Sequence, residues 1–477
     1  MNNRILALVL SAAASLPASA VTITIVNNDG AGEGLNDTTA VAALPSNPAT
    51  TLGAQRLAVL QQAANQWGAL LEGNIEIRVN AQFNPLTCSG TSGVLGSAGA
   101  TTIHQNFANA PVANRWYPPA LANQLAGADV NGATAEITSQ YNVTLDSGTC
   151  INGNAGWYYT LSETDPSPTN RTPLLPVAFH ELAHGLGFQT FTSSSTGAPN
   201  GGFFAIWDNF LTDAVTGTNW ASMASDATRQ ASAISDPNLI WTGPITTAAL
   251  PDFLRGQPQI QITAPAGIAT TENAQAAAFG PLPPQTGISG EIVASVDTGG
   301  TSALDGCEPL TNGAAIAGKI ALLVRGNCNF TVKVKNAQNA GAIAALVDNN
   351  AAGLPGMAGS DPTITIPSFG ITQALGNNIR AQGATTVTGN LFFGATLAGT
   401  QALAVAPFTR HMRMNAPNPV QPGSSVSHFT VDAFPNLLME PSINSNLFDD
   451  VDLSIPLFRD IGWQVPVSNV LFANGFE

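Results

Sequence analysis

The period of the hydrophobic positions changes several times along this chain, and each change marks an element. Val21-Thr22-Ile23-Thr24-Ile25-Val26 alternates β-branched residues with period two, as a strand does. From about Ala54 to Leu71 the apolar positions Leu57, Leu60, Ala64, Trp67 and Leu71 recur at helical spacing, and Gly73-Asn74 supplies a turn. Ile75-Glu76-Ile77-Arg78-Val79 returns to period two and predicts a half-buried strand beside the first. Strand, helix and strand describe an α/β-type lobe. Residues 84 to 170 are rich in Gly, Ser, Thr, Asn and Pro, with aromatic patches at Trp116-Tyr117 and Trp157-Tyr158-Tyr159, so irregular strands and loops are expected there. Pro173 and Pro176 precede the run Val177 to Leu186. Proline suits the first turn of a helix, and Gly185 and Gly187 can end one.

Between about 258 and 400 the composition shifts to short Val/Ile/Ala-rich strands separated by glycine. Strand Gly318 to Val324, helix Val332 to Ala340 and strand Ala342 to Val347 form a small α/β unit of their own. Residues 401–465 return to the character of the first domain, and 466–477 form a tail. The expected organisation is therefore a domain in two parts, 21–257 and 401–465, interrupted by a second domain at 258–400.

The first twenty residues carry Arg4, the apolar run Ile5 to Leu10 and small residues ending Pro17-Ala18-Ser19-Ala20. This pattern predicts a secretory signal peptide at 1–20, cleaved before Val21 by the small-x-small rule of Ala18 and Ala20; the plainer alternative is a buried N-terminal helix. Secretion to the periplasm or the medium is the expected localisation. No later stretch approaches the ~18 uninterrupted apolar residues of a membrane span. With 15 Lys+Arg against 30 Asp+Glu and a net charge of −15, a nucleic-acid surface is not expected. In an exported chain the four cysteines favour disulfides over thiolate metal sites. Pairing Cys88 with Cys150 and Cys307 with Cys328 keeps each bond within one domain.

The chemistry concentrates in His180-Glu181-Leu182-Ala183-His184. Residues four apart on a helix share a face, so both imidazoles can address one ion with a carboxylate beside them. Two imidazoles and a third protein ligand hold zinc with one position open for water, the arrangement of a catalytic site. Zinc lowers the pKa of that water to ~7, and Glu181 is placed to take its proton as general base. The plainer reading is a helix with ordinary satisfied histidines, but a chain with only 5 His spends two of them here. In the extended motif HExxHxxGxxH, Gly187 is present while position 190 is Thr190, so the third ligand must come from elsewhere. The remaining histidines are His104, His411 and His428.

His428 precedes Leu437-Leu438-Met439-Glu440-Pro441, and Phe458-Arg459-Asp460-Ile461-Gly462-Trp463 follows. His180-Glu181-Leu182-Ala183-His184-Gly185-Leu186-Gly187-Phe188, a long insertion, a lone His, a Leu-Met-x-Pro turn and a closing Asp-Ile-Gly-Trp together resemble the leishmanolysin-type metzincin zinc peptidases. That resemblance implies that His428, after 243 intervening residues, is the third zinc ligand and that Met439 is the Met-turn residue beneath the metal. His411 and Glu440 remain competing third ligands, Glu440 with a gluzincin-like site. Gly306-Cys307-Glu308-Pro309, Ala317 to Phe330, Lys333 to Asn350 and Ile366 to Ile371 resemble a protease-associated (PA) domain, which the Cys307 and Cys328 pairing fits. In that family the domain is non-catalytic and guides or restricts access of substrates; its plainer role is a disulfide-stapled spacer.

The expectation is thus an α+β, metzincin-like zincin catalytic domain interrupted by a PA domain, acting as a Zn2+ endopeptidase on protein or peptide substrates. The alternatives are a catalytically inactive zinc-holding adhesion or binding protein, which retention of Glu181 argues against, and a metallohydrolase acting on something other than peptides. Trp67 and Trp157 are candidates to line the cleft, against the commoner role of aromatics as core. Asp449, Asp450 and Asp452 cluster in a way that suits calcium, although such clusters are usually just solvated, and no site is assigned to them.

Overall fold

The computed structural model describes residues 20–163, 165, 168, 170–284, 286–443, 447 and 451–466. The leader up to residue 19, Asp449, Asp450 and the tail beyond Pro466 lie outside the described residues. The chain divides into two compact units, one of residues up to Phe253 with those from Gly399 onward, the other Leu254–Ala398. Among the described residues no helix is long and apolar enough to cross a membrane.

In the first unit, strand β1 (Ile23–Asn27), helix α1 (Leu52–Leu70) and strand β2 (Ile77–Asn84) follow in order, with β3 (Gly96–Ala100) and β4 (Ile137–Asn142) completing a four-stranded sheet. The order is β1-β2-β4-β3, parallel except for β3, which runs antiparallel at one edge. Strict alternation buries Ile77, Val79, Ala81 and Phe83 of β2. The strand starts two residues later than its pattern suggests because the Gln124 side chain engages the preceding backbone. Gln124 accepts from the amides of Asn74 (3.0 Å) and Ile75 (3.1 Å) and donates to the Ile75 carbonyl (2.7 Å).

Helix α1 begins where the Thr51 hydroxyl accepts from the Ala54 amide. Its buried face holds Val59, Leu60, Ala63, Ala64 and Trp67, but also Gln55 and Arg56, whereas Leu57 is only half-buried. Arg56 tolerates burial because its guanidinium donates to the Gly34 carbonyl (2.8 Å), the Tyr159 hydroxyl (3.0 Å) and the Asp146 carboxylate (2.8 Å). Trp67 and Trp157 are core, not cleft: both are fully buried, and their indole N–H groups donate to the Phe179 and Asn142 carbonyls.

The segment expected to be irregular contains β3, β4 and a helix, Pro119–Ala126. Strand β3 reads Gly-Ser-Ala-Gly-Ala, with no apolar alternation, and exists because β4 offers it a ladder. Helix α2 (Leu174–Leu186) lies against α1, β3 and β4. Gly185 sits inside α2 instead of ending it. A Cβ there would stand 2.3 Å from Ile137 Cγ2, so the bare backbone is what lets the helix approach the sheet. That approach outweighs the ~0.5–1 kcal/mol that a mid-helix glycine costs.

After the insertion, Thr400–Ala402 and Arg410–Arg413 join Leu239–Trp241 and Leu211–Asp213 in a second four-stranded sheet. Helix α3 (Ser454–Ile461) closes the unit. Its Asp460 accepts from the amides of Ile245 and Thr246, the Thr246 hydroxyl and the Trp241 indole, capping the helix Pro244–Phe253. Gly462 turns the chain at φ +120°, and Trp463 donates its indole N–H to the Leu186 carbonyl at the end of α2 (2.9 Å).

The inserted unit is an eight-stranded mixed sheet. Its parallel centre contains Ile320–Val324, helix Phe330–Asn339 and strand Ala344–Asp348, with Ile320 to Val324 in register with Ala344 to Asp348. Its first strand, Gly256–Ala264, begins before the change of composition because Gly256 already pairs with Leu397. Disulfides join Cys88 to Cys150 and Cys307 to Cys328, the pairing expected from the sequence.

Gly185→Ala is expected to lower stability by about 1–3 kcal/mol through this overpacking, measured as a shift of the urea midpoint with the slope unchanged. A neutral result would mean that α2 and β4 are not in close contact.

Candidate metal centre

Every residue of α2 is buried, so the ring nitrogens of His180 and His184 must find partners inside the protein. His180 Nδ1 lies 2.7 Å from the Leu438 carbonyl oxygen, His184 Nδ1 2.8 Å from that of Phe188, and His428 Nδ1 2.8 Å from that of Ser424. A carbonyl can only accept, so each Nδ1 carries the proton and each Nε2 presents a bare lone pair. The three Nε2 atoms stand 3.2 Å apart in every pairing. Three acceptors with no hydrogen among them repel, and a cation at their centre removes that repulsion. Zinc–imidazole bonds of about 2.0–2.1 Å at tetrahedral angles put ligand nitrogens about 3.3–3.4 Å apart. The donor set therefore fits zinc and leaves a fourth position free.

Burial also keeps these rings neutral. It pushes the His180 imidazole down to about 3, with His184 adding to the effect, and the His184 imidazole down to about 4. His428 is held well below its ordinary value for the same reason, with further contributions from His184 and His180.

The local backbone explains the pattern of the motif. Gly187 adopts φ +129° at the end of α2, a conformation that favours glycine. The turn brings the Phe188 amide back to the Ala183 carbonyl (2.9 Å) and the Phe188 carbonyl onto His184 Nδ1. The His180 carbonyl partner, Leu438, precedes Met439, which is fully buried and whose own carbonyl accepts from the Phe429 amide (2.8 Å).

The other candidates for third ligand lie elsewhere. His411 uses both nitrogens on hydroxyls, Thr247 (2.9 Å) and Thr409 (2.7 Å), and His104 Nε2 meets the Thr102 hydroxyl. Glu440 is turned back to accept from the Leu437 amide (2.8 Å). Thr190, where the compact motif would have histidine, donates to buried Asp208 (2.6 Å) and accepts nothing from the cluster; its amide donates to the hydroxyl of Ser427, next to His428 (3.2 Å).

Two acids support the centre in ways that the sequence does not reveal. Asp208 gathers the Thr190 and Thr192 hydroxyls and the Ala205 amide. Asp452 accepts from the Leu438 amide, the Ser454 amide (3.0 Å) and the Ser454 hydroxyl (2.8 Å), tying the backbone behind His180 to the start of α3. These donors explain Asp452 without calcium. The signal available was an acid just ahead of a helix.

Glu181 points to the sheet side. Burial pushes its carboxyl up to about 8, and the Ala98 amide of edge strand β3 donates to it and partly offsets the rise. Gly96 of the same strand leaves it room: a Cβ there would come within 3.0 Å of Glu181 Oε1.

Residues 288–379 match the PA domain family, so the second unit of this mixed α/β protein contains a PA domain. Leucine aminopeptidase 2 of Arthroderma otae is 34% identical over 142 residues, 28% of this chain and 27% of that protein. ER degradation-enhancing alpha-mannosidase-like protein 3 of Xenopus laevis is 45% identical over 84 residues, 16% of this chain and 9% of that protein. The chain spans 5% to 27% of the length of these relatives and the human counterpart of the latter. Among solved structures, BSAP, a zinc aminopeptidase from Bacillus subtilis, overlaps with a TM-score of 0.22 at 21% identity, over 33% of this chain and 38% of that one. An overlap so slight carries no argument about activity.

Asp452→Asn is expected to weaken metal binding at the three histidines about 10- to 100-fold, read with added zinc by competition with a chromogenic chelator; unchanged affinity would show that the Leu438 carbonyl holds its place unaided. In the metal-free protein, the three imidazoles bind fewer protons folded than unfolded. Stability should therefore fall as pH drops from about 6.5 towards the depressed values of about 3 and 4. Thermal melting across that window would show a flat profile if the rings were ordinary exposed histidines.

Proposed function

We propose that the chain is a secreted zinc-dependent endopeptidase of the leishmanolysin-type metzincins, with a metzincin-like zincin catalytic unit interrupted by the PA domain. The observation that carries this reading is the convergence of three unprotonated Nε2 atoms at 3.2 Å, with Glu181 next to one of them in sequence. A partial match to an aminopeptidase is compatible with peptidase chemistry. Signal-peptide cleavage after Ala20 would deliver the chain to the periplasm or the medium.

His180, His184 and His428 are the residues that would hold zinc, with Met439 as the Met-turn residue. Bound there, zinc supplies an acidified water and a polarised substrate carbonyl. Glu181 accepts the proton of the attacking water and passes it to the leaving amine. With positive charge held at the adjacent histidines, its carboxylate form is favoured over the protonated form that burial alone prefers. Strand β3 has no neighbouring strand on one side, where its Ala98 amide meets Glu181, and an extended peptide adding along that edge would be presented to the carboxylate in the middle of its length. That mode suits cleavage within a chain. The PA domain guides or restricts which substrates arrive. A zinc-holding protein without activity would have no need of the carboxylate at 181.

The test uses the chain from Val21 with casein as substrate. Chelator-sensitive production of internal fragments is expected. Glu181→Gln should lower the rate by about 10²- to 10⁴-fold with zinc retained, and His428→Ala should lose the metal. Release of free amino acids alone would replace endopeptidase by aminopeptidase; bound zinc with no cleavage would favour a binding protein; full zinc in His428→Ala would remove the metzincin assignment.

A further inference from the structure

A second group of ionisable side chains lies wholly within the PA domain and takes no part in the proposed peptidase chemistry. Asp297, Asp305 and Glu308 place one carboxylate oxygen each within 4.8 Å of the others. Asp297 is 1% exposed, and no N–H or hydroxyl group donates to either of its carboxylate oxygens; its carboxyl faces that of Asp305, and Glu308 Oε2 is likewise buried with no donor. Two acids that face each other in the interior with no donor between their facing oxygens must either share a proton or hold a cation.

The surroundings indicate what kind of cation would fit. Asp305 is oriented by the Cys307 amide (3.1 Å) and the Asn327 side chain (2.5 Å), each using one oxygen and leaving further lone pairs free. Lys333, also 1% exposed, is the nearby positive charge; its ammonium donates to the Asp305 backbone carbonyl (2.7 Å) and to Cys307 Sγ (3.3 Å), so it reaches the three acids by its charge and not by a hydrogen bond to their carboxylates. With all three acids ionised, three carboxylates and one ammonium would leave two negative charges over, the charge of one divalent cation. Gly299 and Gly300 leave space for Glu308: a Cβ on Gly300 would stand 2.8 Å from its carboxylate oxygens. The donors are all oxygen, and their spread is no wider than a calcium shell built from bonds of about 2.3–2.6 Å.

We propose that Asp297, Asp305 and Glu308 form a calcium site in the PA domain. Asp305 and Glu308 flank Cys307, so the ion and the Cys307–Cys328 disulfide fasten the same loop to the sheet. Asp297 lies just beyond the strand Ile288–Ala294, and the ion links that strand's exit to the loop.

The full chain in calcium-free buffer, its zinc content measured throughout, is titrated with calcium chloride. Expected are one calcium per chain, with a dissociation constant of about 10⁻⁴ to 10⁻³ M as in extracellular modules, and a rise in melting temperature. The isosteric Asp297→Asn should lose both responses, while His428→Ala should still take up one calcium, separating this site from the histidine centre. If Asp297→Asn does not fold, Glu308→Gln, at a half-buried position, reads the same loss. No calcium uptake by the natural chain would mean that Lys333 and a proton shared by Asp297 and Asp305 balance the cluster and would overturn the proposal, as would undiminished uptake by both variants.

Discussion

Three imidazole nitrogens that must all remain unprotonated set the terms for the first unit. A neutral histidine carries its one proton on either nitrogen, and only an acceptor held behind the ring forces it onto Nδ1. Here the acceptors are backbone carbonyls of Leu438, Phe188 and Ser424, from three separate turns of chain. Each turn must be rigid for the lone pairs to stay aimed, and each has its own device. Gly187 reverses the chain after α2, Asp452 clamps the Leu438 amide, and Ser424 sits four residues before the histidine it serves.

Rigidity of the helix itself comes from burial on all sides. Trp67 stacks on Phe179 at 4.5 Å and meets Phe458 edge-on, while Phe188 packs against Phe429 at 5.0 Å and Trp207 at 4.8 Å. Aromatic contacts of this kind join α1, α2, the His428 segment and α3 into one body. The cost is that every polar group inside needs a partner. The two indole bonds to carbonyls of α2, from Trp67 and Trp463, and the acid networks of Asp208 and Asp452 supply those partners.

The inserted unit is held together differently. Its two central parallel strands, Ile320–Val324 and Ala344–Asp348, are nearly continuous in Val, Ile, Leu and Ala because both faces are covered. One disulfide and one cluster of acids occur together around Cys307. A loop constrained at one point by a covalent bond brings carboxylates close enough for an ion to constrain it at a second.

Local order along the sequence determined a good deal. Periodicity located α1, β2 and the strand–helix–strand of the insert, since burial of one face imposes it directly. Spacing put His180 and His184 on one face of a helix, and the turn after them needed Gly187. Other features had no local signature. Strand β3 has no apolar alternation because β4 supplies its ladder, and Arg56 is buried because acceptors distant in sequence surround it. Family resemblance points to His428, but the physical reason that it and not His104 or His411 meets the helix lies in tertiary structure. All three are the same residue type, and the difference lies in what faces each ring: hydroxyls for the first two, and for His428 a carbonyl behind it and two other lone pairs in front.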